Sequence, residues 1–445
     1  LFYTAVFLKF LTYRRINREL FLMYLCVVFI GLVSLLAPRP GWYYWPLPLL
    51  AYFFASYRQA PRFAYWMLNG VYLAYFLTAA DSDVLQAWTL TFPTAAQLPT
   101  PWIWLRLHGV DPSFVSNILF TTLEATLITC AIWIYQRAIH SNKLFQRLDR
   151  PMMIGVGGDS GSGKSMYSQL LLDVFNPRYS LVLNGDDTHK WERRHKQWDV
   201  FTPLNPKSNN LHMDYQHAVA LVQGGRVLRG QYDHGSGQFT QPQTIDAQQF
   251  LIFSGLHPFV IPKMRRMYDL KIFLDPEPNL RASWKLWRDQ KERGYTPDQV
   301  LGALEKRAED SRQYIQPQRQ FADIVFSFRA LPELEAPLAQ ERSLAYRLLV
   351  RMSSNVDVDP LLQALEREPS LQLQFITEEN LDYQSCLVGG SISAETIEGM
   401  AQRLLPKLPD LLPEAPRWAG DFAGLMQVIT VYVLYEQLHE DQGEH

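Results

Sequence analysis

The fold of this chain is decided by the stretch Met153-Ile-Gly-Val-Gly-Gly-Asp-Ser-Gly-Ser-Gly-Lys-Ser165. Within it, Gly158, Gly163, Lys164 and Ser165 fill every fixed position of the pattern G-x-x-x-x-G-K-S/T. In this pattern a glycine-rich turn lets backbone N–H groups surround the phosphates of a nucleotide, and the lysine reaches the β- and γ-phosphates. The sequence therefore predicts a site for a nucleoside triphosphate.

The flanking residues predict the structural context that this motif needs. The apolar run Met152–Val156 indicates a buried strand, and Met166–Phe175 indicates a helix whose N-terminus would attract phosphate. A hydroxyl at Ser165 is suited to Mg²⁺. The alternative is a glycine-rich turn before an ordinary core helix. The nucleotide-binding residues expected here are Gly158, Asp159, Ser160, Gly161, Ser162, Gly163, Lys164 and Ser165.

Length and composition limit the other possibilities. A chain of 445 residues is long enough for two or three domains. Its 42 Lys and Arg residues against 44 Asp and Glu leave a formal charge of -2, which argues against nucleic acid as a partner. Cys26, Cys130 and Cys386 are far apart in the sequence, so neither a disulfide framework nor a zinc site is indicated.

Residues 1–136 have the composition of a membrane region. They contain four long apolar runs, which predict four spanning helices, since a span needs about 20 apolar residues. Four buried core helices of a soluble domain are the alternative. Leu1–Leu11 is apolar but too short for a span, so we expect a truncated start. The four runs are Leu20–Ala37, Trp42–Tyr57, Phe63–Ala80 and Val115–Tyr135.

Positive charge predicts the orientation of these helices, because Lys and Arg favour the cytoplasmic side. If four helices alternate, three basic clusters fall on one side, and the opposite loops carry only Arg39 and Arg106. We therefore predict a multi-pass protein of the inner (cytoplasmic) membrane, with the lipid bilayer as a partner, the phosphate loop in the cytoplasm and residues 81–111 outside. Glu124 indicates a helix contact or polar cavity, with a substrate role as the alternative. The clusters are Arg14, Arg15 and Arg18; Arg58 and Arg62; and Arg137, Lys143, Arg147 and Arg150.

Beyond Pro151 short apolar runs alternate with helical stretches, which predicts a mostly parallel sheet covered by helices on both faces. Asp186 and Asp187 follow one strand, and Ser254 follows the next, so they belong at the edge where such sheets carry functional groups. A carboxylate there can accept a proton or hold Mg²⁺; a turn and helix cap is the alternative. The predicted strands are Leu181–Leu183, Phe250–Phe253, Leu270–Leu274 and Ile324–Phe328.

A charged helix is predicted for Trp284–Gly294, ended by the glycine. Lys285, Arg288 and Asp289 recur at spacings of three and four residues, so they lie near one face. From this segment alone, a solvated charged face is the usual explanation.

Several motifs of residues 151–330 together resemble the phosphoribulokinases of the phosphoribulokinase and uridine kinase superfamily, and they occur in the order of that family. The resemblance implies a P-loop kinase fold and transfer of phosphate from ATP to an alcohol, with Mg²⁺ as cofactor. The motifs are Gly158–Ser165, Gly185-Asp-Asp-Thr-His189 with Arg193, Pro203-Leu-Asn-Pro206 with Asn209 and Asn210, Tyr232-Asp-His234, Gly255-Leu-His-Pro258, Trp284–Gly294 and Pro317-Gln318.

Carried over by position, the resemblance makes Asp186 the catalytic base, with Lys164 and Asp289 as further catalytic residues and Ser165 and Asp186 as metal ligands. It places Lys285 and Asp289 near the reacting phosphates. The guanidinium groups favour an anionic acceptor such as a pentose phosphate, because they bind phosphate through paired hydrogen bonds. The substrate-binding residues implied are His189, Arg193, His234, Lys285, Arg288 and Arg293.

The sequence departs from that family at two points. Ser254 stands where the family usually has an acid that helps to hold Mg²⁺, so metal binding would rely on Ser165, Asp186 and either Asp187 or Asp289, or be weakened. The membrane region has no counterpart in typical members. Ser162 also replaces the cysteine of the redox-regulated plant type, so a thiol switch at that position is excluded.

We therefore expect transmembrane helices in residues 1–136, a juxtamembrane linker in 137–150, an α/β P-loop kinase domain in 151–330 and a small α+β extension in 331–445. The expected function is a membrane-anchored, ATP-dependent kinase for a phosphorylated sugar. Two alternatives are a kinase for a lipid- or polyprenol-linked acceptor and a degenerate nucleotide-binding sensor. The sequence does not determine the oligomeric state, and a homo-oligomer is one of the alternatives.

Overall fold

The chain forms two compact units, Leu1–Asp149 and Arg150–His445, which are described here one at a time. The computed structural model describes all residues except 14–15, 37–39, 58–59, 79–89, 91–100, 148–149, 339, 341–343, 379–380, 407, 413 and 441–445. Most of the 81–111 loop, Arg14, Arg15, Arg39 and Arg58 therefore lie outside the described residues, as does most of the C-terminal tail.

The first unit is helical in its described part and is held by aromatic packing. Tyr43 and Tyr72 stack with ring centroids 3.8 Å apart, and Phe54 and Trp133 stack at 5.1 Å. Asn17 caps the second helix by accepting a hydrogen bond from Leu20 N at 2.7 Å. The helices are α1 (Phe2–Leu11), α2 (Arg18–Leu35), α3 (Leu47–Ser56), α4 (Arg62–Thr78), α5 (Pro101–Leu107) and α6 (Pro112–Arg147), with a 3-10 turn at Pro40–Tyr44.

Two helices of the described residues, rather than the four predicted, are long and apolar enough to cross a bilayer. They are α2 and the Pro112–Ile139 part of α6. In the second predicted span, Pro46 and Pro48 lie at the start of α3, which has only 10 residues, about half the length that a span requires. α4 has 17 residues. Helices of this kind also occur as core helices of soluble proteins and as signal sequences, so length and composition support a membrane location only weakly. Most of the predicted juxtamembrane linker, residues 137–150, is helical, since α6 continues to Arg147.

The second unit is built on one eight-stranded sheet, whose strands are β1 (Met152–Gly158), β2 (Ser180–Asn184), β7 (Phe250–Gly255), β8 (Leu270–Leu274), β9 (Ile324–Leu331), β10 (Ala345–Ser353), β11 (Leu371–Ile376) and β12 (Tyr383–Gly390). They lie in the order β11-β12-β10-β9-β8-β1-β7-β2. The strands β2, β7, β1, β8 and β9 run parallel, as predicted. The fully buried strand β1 lies in the middle of these five parallel strands. A continuous apolar run is expected at such a position, because both faces of a parallel sheet are covered.

The C-terminal strands continue this sheet rather than forming a layer of their own. β10 pairs antiparallel with β9 from Ala345 opposite Leu331 to Met352 opposite Ile324. β12 and β11 then follow, also antiparallel. Backbone hydrogen bonds between β10 and β9 therefore join the extension predicted for residues 331–445 to the predicted kinase region.

Helices and two small hairpins complete the unit. Gly294 ends the helix that carries Lys285, because it adopts the left-handed conformation at φ 67°. The helices are α7 (Lys164–Phe175), α8 (Leu211–Val222), α9 (Pro262–Arg265), α10 (Pro278–Arg293), α11 (Pro297–Asp310), α12 (Asp359–Glu366), α13 (Ala394–Leu404), α14 (Leu408–Leu411) and α15 (Asp421–Glu440). The hairpin strands are β3 (Arg226–Arg229) with β6 (Gln243–Asp246), and β4 (Tyr232–Asp233) with β5 (Gln238–Phe239).

The last helix, α15, packs against the helix that follows the phosphate loop. Tyr167 of α7 and Thr430 of α15 are hydrogen-bonded through their hydroxyl groups at 2.5 Å. Gln427 donates from Nε2 to the carbonyl oxygen of Leu170 at 2.9 Å. Because both Gln427 and Thr430 are fully buried, these bonds satisfy polar groups inside the core.

We expect Leu348→Ala to show that the C-terminal strands belong to the same cooperative unit as the phosphate loop. Leu348 lies fully buried on β10, and removing such a side chain typically costs about 2–5 kcal/mol of unfolding free energy. In urea unfolding of the full chain, the free energy of unfolding should fall by that amount, and nucleotide binding should be lost in the same transition. The control Leu301→Ala, at a site 41% exposed, should change the stability by less than about 0.5 kcal/mol. Nucleotide binding that survived unfolding of β10 would contradict the prediction.

Candidate functional site

A cleft of about 1200 Å³ opens at the edge of the sheet where the parallel strands end. The register explains why its residues meet: Gly157 lies opposite Gly255, and Asn184 opposite Ser254. The turns that follow β1, β2 and β7 are therefore side by side. The cleft contains the following predicted site residues: Ser160, Gly161, Ser162, Gly163, Lys164, Ser165, Asp186, His189, Arg193, His234, Lys285, Arg288, Asp289 and Arg293.

The phosphate loop depends on glycines in conformations that other residues rarely adopt. Gly158, Gly161 and Gly163 have φ angles of 153°, 86° and 92°. A Cβ atom on Gly158 would also lie 2.7 Å from the carbonyl oxygen of Leu274. In the same loop, Lys164 Nζ donates to the carbonyl oxygens of Gly158 at 2.9 Å and Asp159 at 2.7 Å. Burial lowers the pKa of Lys164 to about 8, although the charges of Asp186 and Asp159 oppose this.

Asp159 fastens the phosphate loop to the helices beside it and does not line the cleft. Its Oδ2 atom accepts from Ser311 Oγ at 2.5 Å and lies 3.0 Å from Arg281 Nη1. Its Oδ1 atom accepts from the backbone N–H of Ser160 at 2.6 Å. No local pattern predicts that Arg281 or Ser311 contacts Asp159, because both come from distant parts of the chain. Asp159 therefore has a structural role within the motif.

Asp186 is the carboxylate that faces the cleft from the turn after β2. Its two oxygens lie 3.4 Å from His189 Nε2 and 3.2 Å from His234 Nε2. Burial would raise the pKa of Asp186, but the hydrogen bond from His234 and the charges of His189, His234 and Lys164 outweigh burial and hold it well below its usual range. The carboxylate is therefore ionised at neutral pH.

The Asn209 amide orients the His189 ring. Asn209 Nδ2 donates to the carbonyl oxygens of Pro203 at 3.0 Å and Asn205 at 3.1 Å, so its Oδ1 atom is the acceptor for His189 Nδ1–H at 2.7 Å. This leaves Nε2 of the ring facing Asp186. The Pro203-Leu-Asn-Pro206 motif thus acts by holding a histidine in place.

Asp187 turns away from the cleft, so the expectation that it could replace a missing metal ligand is wrong for this structure. Its side chain is 7% exposed. Oδ2 accepts from Arg229 Nε at 3.2 Å, and Oδ1 accepts from the Tyr232 backbone N–H at 2.9 Å. The two adjacent aspartates therefore have different environments, one open to the cleft and one structural.

Helix α10 lines the cleft with charged side chains that are partly buried. The charged face of this helix is therefore not fully solvated. Asp289, at 3% exposure, lies 3.1 Å from Lys285 Nζ, 2.8 Å from Arg288 Nη2 and 3.4 Å from Arg293 Nη1. Burial would raise the pKa of Asp289, but the charges of Lys285 and Arg288 outweigh it and lower the pKa overall. A carboxylate surrounded by three cations is poorly placed to take over metal binding.

Two further basic residues of the cleft, Lys306 and Arg307 of α11, were not predicted. Burial lowers the pKa of the Arg307 guanidinium, with Asp289 and Asp159 opposing this effect. Their only sequence signal is a basic pair within a helical stretch, which is common on solvated helices. Arg193 also lines the cleft and donates to the carbonyl oxygens of His234 and Gly235.

The remaining motifs form structural ties around the turn after β7. Gln318 accepts at Oε1 from Phe259 N at 3.0 Å and donates at Nε2 to Leu256 O at 2.8 Å. Burial lowers the pKa of His257 to about 4, so its ring is neutral. Ser254 is buried and lines the cleft.

The residues present fit an Mg²⁺ ion carried by nucleotide phosphates. The Ser165 hydroxyl borders the cleft and has no side-chain hydrogen bond to any residue that the structure describes. In the described parts of the chain, no group of three or more His, Cys, Asp or Glu side chains is arranged to hold a metal. The protein donors would therefore be few, and phosphate oxygens would complete the coordination.

Proton uptake on nucleotide binding should report the buried state of Lys164. With a pKa of about 8, part of Lys164 is uncharged at pH 8.5, and bound phosphate favours the charged form. Binding of ATP should therefore take up protons at pH 8.5 and fewer at pH 7, where Lys164 is already charged. Calorimetry in two buffers of different ionisation enthalpy measures this uptake. It should fall in Lys164→Met and persist in the exposed control Lys263→Met; no uptake at pH 8.5 in the unmodified chain would contradict the expectation.

Comparisons with known proteins agree with this geometry over part of the chain. The chain is 32% identical over 199 residues to phosphoribulokinase of Synechocystis sp., covering 44% of this chain and 60% of the relative. It is 31% identical over 227 residues to the chloroplastic phosphoribulokinase of Spinacia oleracea, covering 47% and 52%. The chain thus spans little more than half the length of these curated relatives.

A uridine kinase and a solved structure also match. The uridine kinase of Geobacillus kaustophilus is 26% identical over 181 residues, covering 40% of this chain and 85% of the relative. The solved phosphoribulokinase from Rhodobacter spheroides shows 20% identity and a TM-score of 0.47, covering 59% of this chain and 96% of that chain. Residues 153–333 match the model of the "Phosphoribulokinase / Uridine kinase family".

Proposed function

We propose that this chain is an ATP-dependent kinase of the phosphoribulokinase type, which transfers the γ-phosphate to a hydroxyl group of a phosphorylated sugar. One observation carries the proposal: a single cleft holds the phosphate-loop lysine, an ionised carboxylate and several guanidinium groups. A nucleotide site alone needs only the first of these. The carboxylate and the guanidinium groups supply what an anionic alcohol acceptor needs.

The donor end of the reaction uses the phosphate loop. Backbone N–H groups of Gly161–Ser165 and the N-terminus of α7 hold the phosphates of ATP. Lys164, released from its carbonyl partners, binds the β- and γ-phosphates. Ser165 and Asp186 would hold Mg²⁺ together with phosphate oxygens, and the ion would supply further neutralisation of negative charge.

At the acceptor end, Asp186 takes the proton from the attacking hydroxyl. The acceptor oxygen forms a bond to the γ-phosphorus, the bond from that phosphorus to the leaving ADP oxygen breaks, and the proton passes to the carboxylate. The low pKa of Asp186 keeps the carboxylate ionised, so that it is able to accept this proton. His189 and His234 hold the carboxylate in position and border the acceptor.

The acceptor phosphate is proposed to bind among Arg193, Arg288 and Arg293, which line the cleft near Asp186. Arg288 is held through Nε and Nη2 by Asp289 at 3.0 Å and 2.8 Å, which fixes the direction of its guanidinium group. Such groups bind phosphate oxygens in pairs. A sugar without phosphate would leave this positive charge uncompensated.

We also propose that the first unit attaches the enzyme to the inner membrane, with its kinase domain in the cytoplasm. The two long apolar helices support this part, and they favour a second candidate acceptor, a lipid- or polyprenol-linked alcohol. ATP turnover with pentose phosphates and with lipid extracts distinguishes the two acceptors. ATP binding without transfer to any acceptor would favour the sensor alternative.

Asp186→Asn tests the chemistry of the proposed reaction. The unmodified chain should convert ATP and a pentose phosphate into ADP and a new phosphate ester, detected by ³¹P NMR. Loss of a general base lowers turnover by about 10²-fold or more, while ATP binding is retained because the phosphate loop is unchanged. The exposed control Asp298→Asn should behave like the unmodified chain. Turnover near the unmodified level in Asp186→Asn would remove Asp186 from the mechanism.

Arg193→Gln tests the recognition of an acceptor phosphate. Losing a charged hydrogen-bond donor costs about 1.5–3 kcal/mol, so KM for the phosphorylated sugar should rise by roughly 10-fold or more. KM for the same sugar without phosphate should change little. The neighbouring Arg194 does not line the cleft, which makes Arg194→Gln a matched control. Equal changes with both sugars would contradict a phosphate-binding role.

A further inference from the structure

We propose that Arg229 is a positioning residue for the reaction: its buried guanidinium group fixes the turn that carries Asp186. The proposal rests on the proposed function of Asp186 as the base. The turn is the short 3-10 segment Gly185–Thr188, directly after β2. Arg229 is the last residue of β3, outside the main sheet.

The guanidinium group holds the turn on both sides of Asp186. Arg229 Nη2 donates to the carbonyl oxygen of Asn184 at 2.5 Å, and Nε donates to Asp187 Oδ2 at 3.2 Å. The first acceptor lies two residues before Asp186, and the second directly follows it. With both held by one rigid planar group, the backbone at Asp186 has little freedom to rotate its carboxylate away from the cleft.

A second set of contacts ties the end of the turn to helix α8. Arg229 Nη1 donates to Asp214 Oδ1 at 2.7 Å, and Asp214 Oδ2 lies 2.9 Å from Thr188 Oγ1. Nη1 is also 3.3 Å from His217 Nδ1. Burial and the charge of Arg229 lower the pKa of His217, so its ring is neutral and offers a lone pair.

The same cluster reaches the histidine partner of the base. Asp187 Oδ1 accepts from the Tyr232 backbone N–H at 2.9 Å, at the start of β4. His234 follows two residues later and lies 3.2 Å from Asp186 Oδ2. Arg229 therefore sets the position of Asp186 through the residues on both sides of it, and that of His234 through Asp187.

The chemistry of the cluster suits arginine and no other side chain. Five N–H groups in a fixed plane can bind several acceptors at once, whereas lysine offers one small ammonium group. The Arg229 side chain is 1% exposed and faces two largely buried carboxylates. Buried ion clusters of this kind add little net stability over apolar packing, so we place its main effect on geometry.

Arg229→Lys in the full chain keeps the positive charge and removes the planar group of N–H donors. Because a misplacement of about 1 Å can cost 10²-fold in rate, we expect kcat to fall by about 10–100-fold at temperatures well below unfolding. The Kd for ATP should stay within about 2-fold, since the phosphate loop follows a different strand. Arg226→Lys is the matched control, because Arg226 lies on the same strand in an exposed pair with Asp246 at 2.5 Å; its kcat should be unchanged.

Asp187→Asn provides a second variant should Arg229→Lys fail to fold. It leaves the Arg229 contacts to Asn184 and Asp214 in place, so we expect a smaller loss of kcat with unchanged ATP affinity. A folded Arg229→Lys chain with unmodified kcat, or an Asp187→Asn chain with unmodified kcat, would overturn the proposal. If either of these variants kept its kcat while Asp186→Asn was inactive, the role of Arg229 would be wrong and the proposed function would still stand. Unmodified turnover in Asp186→Asn would instead overturn the function on which the proposal rests.

Discussion

The whole site depends on a backbone constraint in the phosphate loop between β1 and α7. Gly158, Gly161 and Gly163 all have φ angles between 86° and 153°, which side chains larger than hydrogen disfavour. These conformations allow the loop to turn from a central buried strand directly into a helix. The N–H groups at the start of α7 then point toward the cleft rather than into the core. The other functional groups of the cleft lie around this turn.

Around the loop, the partners of the carboxylates distinguish those that are held by Lys or Arg from the one that is held by histidines. Asp159 is matched by Arg281, Asp187 by Arg229, and Asp289 by Lys285 and two arginines. Among these four aspartates, Asp186 alone has histidines as its side-chain ion partners. A carboxylate with neutralisable partners can exchange a proton with a ligand, whereas one held by guanidinium groups is committed to the fold.

Local patterns in the sequence predicted much of the fold, because buried strands and capped helices leave short-range signals. Leu270–Leu274 was predicted with its observed bounds, and the helix ending at Gly294 follows from the freedom of glycine at positive φ. The partners of Asp159 and Asp187, by contrast, depend on contacts between residues far apart in the chain. Ser311, for example, meets Asp159 across 152 positions, and no local pattern reveals such a pairing. The four apolar runs of the first unit were equally visible, but prolines shortened one of the helices, which composition alone did not predict.

The most direct test is a crystal structure of the full chain with a non-hydrolysable ATP analogue and the sugar phosphate that it turns over fastest. We expect the γ-phosphate at Lys164, the acceptor phosphate among Arg193, Arg288 and Arg293, and the attacking hydroxyl within about 2.6–3.2 Å of an Asp186 oxygen. That oxygen, the hydroxyl and the γ-phosphorus should be placed for in-line transfer. An acceptor hydroxyl bound against another side chain, with Asp186 facing only solvent, would contradict the account.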